Sequence, residues 1–106
     1  MQINKDIQKV TKQIQEKYKP EKIILFGSFA RGENQKHSDI DLCIIKNTKV
    51  PFRERILKIY QIIRNLDYKN PIEPFVFTPR EFEQRKDKYF FRNIKKEGKI
   101  IYEKSR

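Results

Sequence analysis

Asp39 and Asp41, one residue apart, and the Gly27-Ser28 pair upstream of them have the types and spacing to do chemistry. Successive side chains of a strand face opposite ways, so Asp39 and Asp41 share one face while Ile40 and Leu42 take the other. Two carboxylates about 6–7 Å apart along one strand repel each other unless something positive lies between them. A hard cation such as Mg²⁺ is the ordinary solution, with carboxylate oxygens at about 2.0–2.1 Å and waters or phosphates completing an octahedron. The other reading is a pair of solvated aspartates at a strand end, and Asp-x-Asp alone does not separate the two. Gly27 permits a tight strand exit and close backbone approach to a ligand. Ser28 offers a hydroxyl and a helix-start N–H to a phosphate oxygen. Gly-Ser is also a common turn. The combination of strand, Gly-Ser, polar loop and paired aspartates on the next strand is rarer than either part, and it reads as a phosphate cradle joined to a divalent-metal site.

The elements that must position these residues follow from hydrophobic spacing. Ile3, Ile7, Val10, Ile14 and Tyr18 recur at steps of three and four, which predicts a helix closed before Pro20. Glu21 to Phe26 is a short buried strand ending at Gly27, and Ser28 is expected to cap a short helix through Ala30–Glu33. Residues 33–38 are a polar loop, and Asp39–Ile45 is the second strand. Phe52, Ile56, Ile59, Tyr60, Ile63 and Leu66 follow helical spacing, broken by Asp67–Pro71. Ile72–Phe77 is a third strand, placed at an edge or irregular because Pro74 lacks a ladder donor. Thr78-Pro79-Arg80-Glu81 is a capping box with proline at the first helical position. The helix it opens is expected to carry Phe82, Tyr89, Phe90 and Ile94 and to stop near Gly98. Lys99–Glu103 either adds a strand or packs as an arm. The order predicts an α/β (α+β) fold, a small mixed sheet covered by helices.

At 106 residues the chain reads as one domain, residues 1–106, with little room for a second core. Its net charge of +11 favours anionic partners: nucleotides, nucleic acid or an acidic protein surface. Much of that charge can equally be a solvated helical surface. Residues 46–69 carry seven Lys/Arg against two acids, whereas 23–45 balance to −1, so an acidic spot lies inside a basic shell. Cys43 is the lone cysteine, which excludes an internal disulfide, and no Cys/His cluster suggests zinc. His37, the only histidine, reads as a loop hydrogen-bonder. Tyr89, Phe90 and Phe91 have rings that could stack on a base, but at helical spacing they read as core or interface. With no signal peptide, long apolar span or lipidation motif, the expectation is a cytoplasmic protein without membrane contact.

The stretch Gly-Ser-Phe-Ala-Arg-Gly…Ser-Asp-Ile-Asp-Leu, residues 27–42, resembles the motif of the minimal nucleotidyltransferases within the DNA polymerase β-like superfamily. The resemblance extends to the order of elements and to the close, Glu97-Gly98-Lys99-Ile100-Ile101-Tyr102. It implies the polymerase β palm-like nucleotidyltransferase fold and transfer of a nucleoside monophosphate, AMP from ATP, onto a hydroxyl. It further implies two Mg²⁺ ions held by three carboxylates, in a two-metal in-line displacement. On that pattern Gly27 and Ser28 hold the triphosphate, Asp39 and Asp41 bridge both metals, and Arg31 either touches phosphates or forms a salt bridge. The third carboxylate is typically an aspartate on the third strand; here Glu73 stands at that position, with one more methylene, as third ligand and general base. The alternative for Glu73 is a salt-bridged strand residue.

Stand-alone members of this family are implied to be antitoxins, encoded beside a HEPN-type toxin ribonuclease that they neutralise by transferring AMP to a tyrosine. One alternative keeps the fold and drops the chemistry: a nucleotide-binding inhibitor acting by stoichiometric contact. Another, less favoured, is a basic RNA-binding module, for which no RNP-type aromatic pattern or glycine-loop motif is present.

Overall fold

The computed structural model describes residues 4–105, so Ile3 of the first helical stripe lies outside the described residues. Asn4 caps α1 (Lys5–Tyr18), its Oδ1 accepting from the N–H groups of Asp6 and Ile7 at 2.6 and 3.3 Å. The helix ends on Lys19 in the left-handed region, φ 53°. There follow β1 (Lys22–Phe26), α2 (Ser28–Arg31), β2 (Ile40–Ile45), α3 (Phe52–Ile63) and β3 (Ile72–Phe77), then α4 (Pro79–Gln84), α5 (Tyr89–Glu97) and β4 (Lys99–Glu103).

The four strands form one mixed sheet in the order β3-β2-β1-β4. β1 pairs antiparallel with β2 and β4, and β2 pairs parallel with β3. Both faces are covered. On one face Ile23, Leu25, Ile40, Leu42, Ile44, Ile72 and Val76 bury themselves against Ile7, Val10 and Ile14 of α1 and Ile59 and Ile63 of α3. On the other, Ile24, Phe26, Cys43, Ile45 and Phe77 meet Phe91 and Ile94 of α5. Strand alternation therefore sends Asp41 to the α5 face, with Cys43 and Ile45, while Ile40, Leu42 and Ile44 serve the larger core. The expected mixed sheet, covered by helices, is what forms. Pro74 lies on the edge strand, where its missing N–H faces no neighbour, and the tail takes the strand alternative as β4.

Four expectations are corrected. The short helix covers Ser28–Arg31 and is capped by Gly27, with no side-chain cap from Ser28. β2 begins at Ile40, leaving Asp39 on the loop side of the junction. α3 closes at Ile63, so Leu66 packs on the core from the following turn. The single helix expected after Thr78 is two. The capping box forms, with Glu81 N–H donating to Thr78 Oγ1 and Thr78 N–H to Glu81 Oε1, but α4 stops at Gln84 and α5 starts at Tyr89. Residues 83–88, Glu-Gln-Arg-Lys-Asp-Lys, offer no apolar anchor for more than a helical turn, so nothing holds a continuous helix to the sheet there. After the break Phe91 and Ile94 of α5 pack on the sheet, with Phe82 and Phe90 against the same cluster.

Candidate active site

β1 ends at Phe26, and Gly27 adopts φ 77°, ψ −156°, a backbone region open essentially to glycine alone. The Gly27 carbonyl at once accepts from the N–H groups of Ala30 and Arg31, both at 3.1 Å, so the strand turns directly into α2. Glycine is required here for a second reason. A Cβ at position 27 would lie 2.1 Å from Asp41 Oδ2 and 3.1 Å from its Cγ. The near neighbour of the Gly27 backbone on this side is the second aspartate of the motif.

Asp41 lies opposite Phe26 across β1–β2 and opposite Glu73 in the parallel β2–β3 register. Its carboxyl is pushed up to about 6, chiefly by burial, then by the negative charges of Glu73 and Asp39 and by a hydrogen bond to Glu73, while Arg31 pulls the other way. Asp39 is exposed at the mouth of β2. The two aspartates, Gly27, Ser28, Arg31 and Ser38 line one cleft of about 410 Å³, together with Phe26 and three residues of α5: Phe90, Asn93 and Glu97. Glu73 is exposed on the edge strand and adjoins this cleft through Asp41 rather than lining it. A larger hollow of about 580 Å³ lies on the other side of α2, but no carboxylate lines it.

Arg31 lines the cleft and forms two salt bridges. Its Nε donates to Glu33 Oε1 at 2.7 Å and its Nη1 to Glu97 Oε1 at 3.0 Å, joining α2 to α5 across the cleft. Of the three aromatics, Phe91 is core, Tyr89 is exposed, and Phe90 forms a wall of the cleft, edge-on to Phe26 at 5.6 Å and to Phe75 at 5.3 Å. His37 is exposed on the loop and lines no part of the cleft. Among the described residues, no three His, Cys, Asp or Glu side chains form a ready-made ion cage. The donor chemistry nevertheless suits a hard cation, because Mg²⁺ is commonly held by one or two carboxylates plus substrate phosphates and water. Asp39 and Asp41 line the cleft as two such carboxylates, and the negative charges of Glu73 and Asp39, after burial, raise the Asp41 carboxyl to about 6.

The sequence pattern did not single out Asn93 and Glu97 as cleft residues, although with Phe90 their spacing of three and four marks one helical stripe. It also missed Asn70, which is buried and whose side-chain N–H groups donate to the carbonyls of Lys36 and Ser38 at 3.1 and 3.0 Å. An asparagine in a loop carries no local signal for such a role.

A family model described as "Polymerase beta, Nucleotidyltransferase" matches residues 8–106. The chain belongs to the polymerase β-type nucleotidyltransferases. It is 33% identical over 104 residues to a protein of Methanocaldococcus jannaschii provisionally named a protein adenylyltransferase, a match covering 96% of this chain and all of that one. Among solved structures this nucleotidyltransferase resembles one from Sulfolobus solfataricus provisionally named a nucleotidyltransferase, with a TM-score of 0.64 at 18% identity over 94% of this chain and 79% of that one. A mutant of the MntA-HpeT toxin–antitoxin gives 0.65 at 20% identity over 98% and 76%. A toxin–antitoxin with AMP-PNP gives 0.57 at 17% over 92% and 73%. At these identities the structural likenesses show the shared fold; the family rests on the sequence matches.

Proposed function

We propose that this nucleotidyltransferase moves AMP from ATP onto a hydroxyl of a partner protein, and that the partner is a HEPN-type toxin which the transfer neutralises. The observation that carries this reading is the seating of the Asp41 carboxylate against Gly27, which joins the phosphate-cradle turn and the carboxylate strand into one cleft. The adenylyltransferase name of the M. jannaschii relative and the toxin–antitoxin identity of two structural neighbours support the donor and the partner.

In this reading Gly27 and Ser28 would meet the triphosphate with backbone N–H groups and a hydroxyl, and Asp39 and Asp41, with Glu73 beside Asp41, would hold the two Mg²⁺ ions that the family resemblance implies. When bound, these cations would screen the triphosphate and lower the barrier to displacement of pyrophosphate. The acceptor oxygen forms a bond to the α-phosphorus as the bond to the β-phosphate oxygen breaks, and the hydroxyl proton passes to Glu73. Phe90 offers an apolar wall to the bound nucleotide, and the Arg31–Glu97 pair braces α2 against α5.

Incubation with labelled ATP, Mg²⁺ and the product of the neighbouring gene tests this directly. Label is expected on the partner and absent with Asp39→Asn plus Asp41→Asn. If no label moves and the doubly substituted protein still neutralises the partner, inhibition is by contact and the transfer reading is wrong.

A further inference from the structure

With Thr11 and Arg55, Asn70 is one of three buried polar or charged residues among those described, and all its side-chain hydrogen bonds go to one loop. Its carboxamide donates to the carbonyls of Lys36 and Ser38. The following carbonyl, that of Pro71, accepts from Ile40 N–H at 2.8 Å. Asp39 lies between these two points, so the backbone carrying it is pinned on both sides by residues 70 and 71. That segment is itself anchored, because the N–H groups of Lys69 and Asn70 donate to Asp6 Oδ2 on the first turn of α1, at 2.8 and 3.0 Å. Asp39, one residue outside the strand ladder, has no other regular structure to hold its place.

Resting on the proposed site above, we infer that Asn70 is a positioning residue: its carboxamide holds the loop that presents Asp39, and it thereby sets the affinity of the cleft for a divalent cation. The chemistry calls for an amide. Two carbonyl oxygens need two donors, and a carboxylate of the same shape would offer only acceptors and repel both. Side chains that orient ligating carboxylates commonly govern metal affinity by roughly 10- to 100-fold without touching the ion.

The test compares the wild-type protein, Asn70→Asp and Asp39→Asn, each with a non-hydrolysable ATP analogue, by titration with Mn²⁺ read by electron paramagnetic resonance and by thermal melting. Asn70→Asp is expected to bind Mn²⁺ about 10- to 100-fold more weakly, and raised Mg²⁺ is expected to restore its transfer rate, which a general loss of fold would not allow. A folded Asn70→Asp with wild-type Mn²⁺ affinity overturns the inference while leaving the site intact, provided Asp39→Asn is weakened. Failure of the wild-type protein to bind Mn²⁺ overturns both. If Asn70→Asp does not fold, Asn70→Ser, smaller and with one donor, is expected to shift the affinity in the same direction, and an unchanged affinity in it overturns the inference.

Discussion

Asp41 is held where its charge is disfavoured: half-buried, beside Glu73 and Asp39, against the Cα of Gly27. Its carboxyl rises from the ordinary 3.8 to about 6, so between those values the folded protein binds a proton that the unfolded chain has released. Stability of the metal-free protein should therefore fall as pH rises through that window. Asp41→Asn, neutral and of equal size, should remove that slope, raise the melting temperature of metal-free protein at neutral pH, and abolish transfer. If the Asp41→Asn variant instead melts lower at neutral pH and keeps the slope, Asp41 is not the strained group. Gly27→Ala meets both the Gly-only backbone region and Asp41 Oδ2, and should cost about 1–3 kcal/mol from the backbone alone. In an Asp41→Ala background the steric part disappears, so denaturant melts of the four proteins should give a non-additive cycle. Glu73→Gln should abolish transfer and leave ATP binding mostly intact; unchanged transfer would place the third carboxylate elsewhere.

At the scale of elements, α5 matters because it carries the far wall of the cleft on a small aromatic core. Phe91 packs edge-on to Phe77 at 4.9 Å and to Phe82 at 5.4 Å, and with Ile94 it fastens α5 to the sheet. Phe91→Ala should cost about 3–5 kcal/mol in urea unfolding, and should lower transfer in the fraction that stays folded by loosening Phe90, Asn93 and Glu97. α4 is tied more locally. Its Glu81 closes the capping box and accepts a forked pair of bonds from buried Arg55 at 2.7 and 3.1 Å, which also holds it below the usual carboxylate range. Thr78→Ala should then cost about 0.5–2 kcal/mol without touching the cleft, so an effect on transfer larger than the stability loss explains would contradict this division of labour.

For the whole molecule the decisive quantity is a net charge of +11 around an acidic cleft. Like charges spread over a small globule repel, so the melting temperature should rise as weakly binding salt is raised toward about 0.15 M, where the Debye length falls to about 8 Å. A fall in melting temperature would mean that ion pairs such as Arg31–Glu97 outweigh the repulsion. No helix among the described residues is long and apolar enough to cross a membrane.

Much of the architecture was legible in the sequence because its causes are local. Alternation placed Asp41 and Leu42 on opposite faces, proline confined β3 to an edge, and Thr78-Pro79-Arg80-Glu81 encoded its own cap. The Gly-Ser and Asp-x-Asp pairs are likewise short-range patterns, and they lie together in the cleft. What failed was also local in cause: the six polar residues that split α4 from α5 interrupt a spacing without disturbing its phase. Tertiary structure alone decided the contacts between distant segments. It seated Asp41 on Gly27, paired Arg31 with Glu97, turned the α5 stripe into a wall, and placed Asn70 under the loop that carries Asp39. Each of these joins residues whose separation in the chain leaves no periodic trace, because the partner is chosen by packing of the sheet and not by neighbours in sequence.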